Sequence, residues 1–160
     1  IIFRKMNGIT FLKKSKTKFD FIIIKQTIHF FKSKHLYILL NLAKRSLSKE
    51  GKILIFLLEN KNNEIPVFNK MRKKLEHSFK IDNKIIKKIK SNFKKYHLIK
   101  FTFNVHISRN QYIKMIKKKY ISCLMKLSKK DIDQGVTEIK IKYQKDLRFK
   151  DILNCFVYKS

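Results

Sequence analysis

Forty lysines and arginines stand against eleven aspartates and glutamates in 160 residues, a formal charge of +29 at pH 7. Self-repulsion of that size opposes any compact state, so the fold must be stabilised by a polyanionic partner that neutralises it. Nucleic acid is the first candidate and an anionic membrane face the second. The kind of base narrows the choice, because Arg4, Arg45, Arg72, Arg109 and Arg148 are arginine and the other 35 are lysine. Lysine neutralises backbone phosphate as a point charge, whereas reading base edges favours the bidentate fork of arginine. Part of the excess is compositional: the chain is crowded with Ile, Lys, Asn and Phe and has no Trp, one Pro and three Gly, a pattern of AT-rich codons. The charge therefore speaks for a polyanion and not for any single lysine.

A chain of this length is one domain with extensions, able to bury roughly two-thirds of its unfolded surface. Apolar residues make up 44% of it, with 14 Phe and 6 Tyr, far more than a disordered basic tail carries. Cys123 and Cys155 have no metal-ligand spacing with each other or with the five histidines, and read as buried free thiols. No apolar run reaches spanning length, since Lys25 and Lys32 interrupt the Phe19 to Phe31 stretch. The sequence begins Ile1-Ile2-Phe3 without a Met or the pattern of an import signal, which together with the codon bias suggests synthesis inside an organelle.

The apolar pattern gives an order of elements. Phe19 to Gln26 is β-branched and aromatic and reads as a buried strand. Ile28, Phe31, His35, Ile38, Leu39, Leu42 and Ala43 recur at helical spacing from an N-cap at Thr27 or Ser33 to about Ser48. Gly51 supplies a helix stop before a second strand, Lys52 to Leu58. Met71, Leu75, Phe79, Ile85, Ile89 and Phe93 line one side of a lysine-studded helix, and His97 to Ile107 alternates as a third strand. Tyr112, Met115, Ile116, Tyr120, Cys123, Leu124 and Leu127 fit a helix better than a strand, though Tyr112, Lys114, Ile116 and Lys118 can also alternate, and Gly135 ends that segment. Val136 to Tyr143 reads as the last strand and Gln144 to Ser160 as a short amphipathic helix.

Setting the lysine-rich helix aside leaves strand, helix, strand, strand, helix, strand. That order predicts an α+β, ferredoxin-like βαββαβ sandwich with a four-stranded antiparallel sheet, a basic helical insertion and terminal extensions. The expected organisation is an N-terminal extension over 1–18, a domain over 19–143 with the insertion at about 68–96, and a C-terminal extension over 144–160.

Two local patterns carry a family resemblance. Phe101-Thr102, Val105-His106-Ile107 and Arg109-Asn110-Gln111-Tyr112 form one, and Asp131 to Val136 leading into Glu138-Ile139-Lys140 forms the other. Both resemble the universal small-subunit ribosomal protein ten (S-ten) family over roughly residues 19 to 143. In that family a His-containing loop precedes an Arg-x-Gln-Tyr signature and a helix stops at Gly-Val before the final strand. The loop between Val105 and Arg109 is shorter here, and the acid and Arg-Thr that follow Gln-Tyr in the family are replaced by Ile113, Met115 and Ile116.

The resemblance implies a structural constituent of the small-subunit head in organellar translation. It also implies small-subunit ribosomal RNA and neighbouring head proteins as partners, in the mitochondrial matrix, with no catalysis, cofactor, metal, small-molecule substrate or membrane span. The expected RNA contacts are Arg109, whose fork suits phosphate, and Gln111 and His106, which can bond ribose hydroxyls. Lys94, Lys95 and Lys100 flank the third strand as non-specific phosphate partners, and Lys117, Lys118 and Lys119 join them through the total charge. A bland reading stands beside each: Tyr112 as a core ring, His106 as a capped loop residue, the triple lysine as a solvated face. Two other functions stay open, a free RNA-binding or assembly factor of the same fold and a basic accessory subunit of an inner-membrane respiratory complex. An enzyme is the weakest class, because there is no Gly-rich phosphate loop, nucleophile elbow or metal spacing.

Overall fold

The computed structural model describes residues 5–93 and 95–159. They divide into two compact units, one of residues 5–58, 84–93, 95–101 and 153–159, the other of Glu59–Asn83 and Thr102–Ile152.

In the first unit a short helix α1 (Gly8–Lys14) starts at Asn7, whose side-chain oxygen accepts from the backbone N–H groups of Ile9 and Thr10. Strand β1 (Phe19–Lys25) follows, then a turn of 3-10 helix (Ile28–Phe30), helix α2 (Ser33–Arg45) and strand β2 (Leu47–Leu58). Leu36, Leu39, Leu40 and Ala43 form the buried stripe of α2 at i, i+3, i+4 and i+7. They face Ile24 of β1 and the alternating Ile53, Ile55 and Leu57 of β2. Ile85, Ile89 and Phe93, from the last turns of helix α3 (Asn69–Asn92) and just beyond, complete this core. Lys44 ties α2 to α3, its Nζ donating to the Asn92 carbonyl at 2.5 Å and lying 4.7 Å from the centre of the Phe93 ring.

The second unit is built around strand segments and two helices, α4 (Arg109–Lys117) and α5 (Lys129–Lys142), each opened by a capping box. In α4, Ser108 accepts from the Gln111 N–H while Gln111 reaches back to the Ser108 N–H; in α5, Ser128 and Asp131 do the same. Ile132, Val136 and Ile139 of α5 and Tyr112, Ile113 and Ile116 of α4 share one core with Phe68, Met71, Leu124 and Leu147.

Strands β3 (His97–Ile107) and β4 (Leu147–Lys159) complete one sheet, in the order β1-β2-β4-β3. β1 and β2 pair in parallel, with Ile22 opposite Ile53 and Ile24 opposite Ile55, and β2 and β4 pair antiparallel, with Ile55 opposite Phe156. The sheet is therefore mixed, and the expected antiparallel ferredoxin-like sandwich is wrong. The first two strands are direct neighbours joined by α2 as a parallel crossover.

Three misread elements produce that error. Gly51 lies inside β2 and stops no helix: a Cβ there would meet the Phe19 carbonyl oxygen at 2.7 Å, so its role is to let β2 approach β1. The approach coincides with a register shift, where two residue steps in β1 (Phe19 to Phe21) match five in β2 (Leu47 to Lys52). Val136 to Lys142 belongs to α5, with Tyr143 as its C-cap, and Gly135 sits mid-helix against the Phe68 ring. The last strand is instead Leu147–Lys159, in the stretch expected to be an amphipathic helix.

Candidate functional site

β1 is the edge strand of the sheet, and a cavity of about 670 Å³ lies along it within the first unit. Its walls come from three elements: Phe11 and Leu12 of α1, Phe19 through Ile24 of β1 except Asp20, and Phe30 and Phe31 after the strand's carboxyl end. Leu39 of α2 closes the back, and Gly8 keeps the α1 side low: a Cβ there would lie 4.0 Å from Leu39 Cδ1. The sequence forms this place because β1 reads Phe-Asp-Phe-Ile-Ile-Ile, apolar on both faces, and Gln26 then turns the chain at φ 50.

Polar groups in the wall are few and sit at its margins. Asn7 and Thr27 are the polar side chains among the fourteen lining residues. The Asn7 oxygen is occupied with capping α1, which leaves its amide nitrogen as the donor it can offer inward. Gln26 prolongs the parallel ladder, its N–H donating to the Phe56 carbonyl at 3.0 Å. His29, between Thr27 and Phe30, has its ring 4.2 Å from that of Phe30. Asp20 is turned elsewhere and accepts from the Ser48 hydroxyl at 2.6 Å.

The residues expected to contact RNA are scattered. Arg109 donates through a guanidinium N–H to the Tyr143 carbonyl at 3.1 Å, stapling the start of α4 to the end of α5. Gln111 is the return arm of a capping box. His106 is exposed on β3, its Nε2 3.6 Å from an Asp146 carboxylate oxygen. Lys119, at φ 53, donates to the Met125 and Leu127 carbonyls and holds the turn after α4. Lys95, Lys100, Lys117 and Lys118 are exposed, and Lys94 lies outside the described residues. Tyr112 is a fully buried core ring whose hydroxyl donates to the Pro66 carbonyl and meets the Tyr120 hydroxyl at 3.0 Å. Burial holds the Tyr112 phenol far above its ordinary range. Burial also raises Tyr120, whose hydroxyl meets that of Tyr112, to about 12. It raises the Cys123 thiol to about 11. Among the described residues no three His, Cys, Asp or Glu side chains are grouped as a metal site requires.

No family model and no curated protein matches this chain. Among solved structures it is similar to a SAM-dependent methyltransferase from Archaeoglobus fulgidus, at 16% identity and TM-score 0.49, over 98% of this chain and 66% of that one. It is also similar to a phosphoethanolamine N-methyltransferase from Haemonchus contortus in complex with phosphomonomethylethanolamine and S-adenosylhomocysteine. There the identity is 16% and the TM-score 0.40, over 89% of this chain and 33% of the other. These are loose likenesses, and the chain spans about a third of the nematode enzyme and 66% of the archaeal one.

The mixed sheet, with β1 and β2 paired in parallel, corrects the S-ten resemblance, which requires an antiparallel sandwich. The structure removes its basis as well: Arg109, Gln111 and Tyr112 are helical and tied into the fold, and Gly135-Val136 lies within a helix and precedes no strand. With it go the ribosomal role, the rRNA and head-protein partners, the two alternatives offered beside them, and the expectations of no catalysis and no small-molecule substrate. Among the described residues no helix is long and apolar enough to cross a membrane.

The chemistry of the wall limits what the cavity can hold. A sulfonium nucleoside carries a fixed positive charge, a ribose diol and an amino-acid head, and a ribose diol is typically held by a carboxylate. The wall holds no carboxylate, and Asn7 and Thr27 supply only neutral groups. The cavity fits an aromatic or aliphatic body; it does not fit the charged part of that cofactor.

Proposed function

We propose that this chain binds a small, predominantly apolar molecule beside β1, with Asn7 and Thr27 at the polar end of that molecule. The observation that carries the reading is the cavity itself, about 670 Å³ and walled by Phe, Ile and Leu side chains from α1, β1 and the turn after it. Its size is that of a small-molecule site, and its composition, apolar with a few marginal polar groups, is that of such sites generally. Its position supports the same reading, because it reaches the carboxyl end of a parallel strand just before the crossover helix, where open α/β sheets hold their ligands. The wall supplies apolar contact and orientation: it packs against the body of the molecule and leaves the end near Thr27 for polar contact.

Titration with the neutral fluorophore N-phenyl-1-naphthylamine tests this, since a neutral probe is indifferent to the +29 charge. Fluorescence should rise saturably with the wild-type chain. Gly8→Leu, which fills the cavity from a position where a Cβ is accommodated without strain, should weaken binding by about tenfold or more while the melting temperature holds. No saturable signal, or equal affinity in Gly8→Leu, overturns the reading.

A further inference from the structure

We propose that the free edge of β1 is the docking site of an acidic protein segment, which adds a strand to the sheet there. Among the described residues β1 has β2 on one side only, and it is long enough, at seven residues, to template another strand. Phe21 is 58% exposed and Ile23 61%, although both belong to a strand paired in parallel. Parallel strands occur almost only where both faces are covered, and α2 with α3 covers just the face bearing Ile22 and Ile24. Phe30, just past the strand, is 63% exposed and extends the apolar area.

The border of this area selects the occupant. Lys25 shares the outer face with Phe21 and Ile23, Lys52 holds its Nζ 5.9 Å from the Phe21 ring centre, and Lys18 and Lys32 flank the strand and its turn. The acid within β1, Asp20, accepts from the Ser48 hydroxyl, and its single charge leaves this four-lysine border positive. A second copy of the chain would bring another +29 to this border and be repelled. A nucleic acid would satisfy the lysines and can stack a base on Phe21, but it does not continue the ladder from the strand's outer N–H and C=O groups. An extended polypeptide alternating acidic and apolar residues does all three: its main chain continues the ladder, its apolar face covers Phe21 and Ile23, and its carboxylates meet the lysines.

The strand edge shares Phe21, Ile23 and Phe30 with the wall of the cavity, so the two readings are told apart by Gly8→Leu, which takes up cavity space from the α1 side and leaves residues 19–25 and their lysine border unchanged. The test uses the full chain with a capped synthetic peptide alternating valine and glutamate, and capped polyglutamate of equal charge. The alternating peptide should bind at least about tenfold more tightly at physiological salt and slow amide hydrogen exchange in residues 19–25. Ile23→Lys, at an exposed position, should abolish that margin, and Gly8→Leu should keep it. Equal binding of the two peptides would reduce the effect to charge and overturn the proposal. So would sedimentation showing a dimer that Ile23→Lys dissociates, or the same exchange protection produced by a single-stranded oligonucleotide.

Discussion

Ile23 pairs in parallel register with Leu54 and yet remains 61% exposed, while its neighbour Ile24, opposite Ile55, is 8% exposed. One strand thus carries a buried apolar face toward α2 and an open one toward solvent. The mutational consequences differ sharply between them. Ile55→Ala should cost about 2–5 kcal/mol, because the side chain is enclosed by α2 and α3 and the space left behind relaxes only in part. Ile23→Thr should change stability by no more than about 0.5 kcal/mol. Urea unfolding of the two variants checks the pair.

Gly135 reverses the usual helix rule. Replacing a mid-helix glycine by alanine ordinarily gains about 1 kcal/mol. Here the added Cβ would fall 2.5 Å from Phe68 Cδ2 and 2.6 Å from two more atoms of a ring that is itself buried. Gly135→Ala should therefore destabilise by about 1–3 kcal/mol through overpacking. Equal or higher stability in chemical denaturation would show that Phe68 can move aside.

Tyr112, Tyr120 and Cys123 predict an alkaline limit. All three folded values lie above the ordinary 10.0 for phenol and 9.0 for thiol, because burial disfavours the charged forms. The neutral forms are compatible with the fold, so their contribution is fully present below about pH 9, and it is lost as pH rises toward about 11 for Cys123 and about 12 for Tyr120. Tyrosinate absorbance and circular dichroism followed together should change in one step over that window. Tyr112→Phe leaves the Pro66 carbonyl without its donor and should cost about 1–3 kcal/mol at neutral pH.

Asp131 sets a corresponding signal in acid. The Lys70 ammonium, then the Ser128 side chain and backbone, stabilise its carboxylate and hold it at about 2. A lowered value means that the interaction is present above the ordinary 3.8 and fades as pH falls toward 2. Carbon NMR of the Asp131 carboxyl should show the low midpoint, and Lys70→Met should move it up toward the ordinary range.

The sequence pattern revealed β1, α2, α3 and β3, where one face is apolar and the period is plain. It failed where two periods coincide. Val136, Glu138, Lys140 and Lys142 alternate like a strand, but Ile132, Val136 and Ile139 lie one helical turn apart, and the Ser128 to Asp131 capping box decides for the helix. Leu147–Lys159 hid for the opposite reason: Ile152, Leu153, Cys155, Phe156 and Val157 are all buried, so no alternation marks them. The parallel pairing of β1 with β2 is a non-local relationship that no window contains. The cavity had one local sign, the uninterrupted Phe21-Ile22-Ile23-Ile24 run, which is the mark of a strand built to be covered on both faces.

The central claim is that the space beside β1 holds a small apolar molecule, and isoleucine and leucine methyl NMR tests it most directly. On titration with N-phenyl-1-naphthylamine, the methyl signals of Ile22, Ile23, Ile24 and Leu39, which line the cavity, should shift together and saturate. Those of Ile132 and Ile139, in the core of α5, should stay in place. Shifts spread evenly over both groups, or confined to the second, would contradict the account.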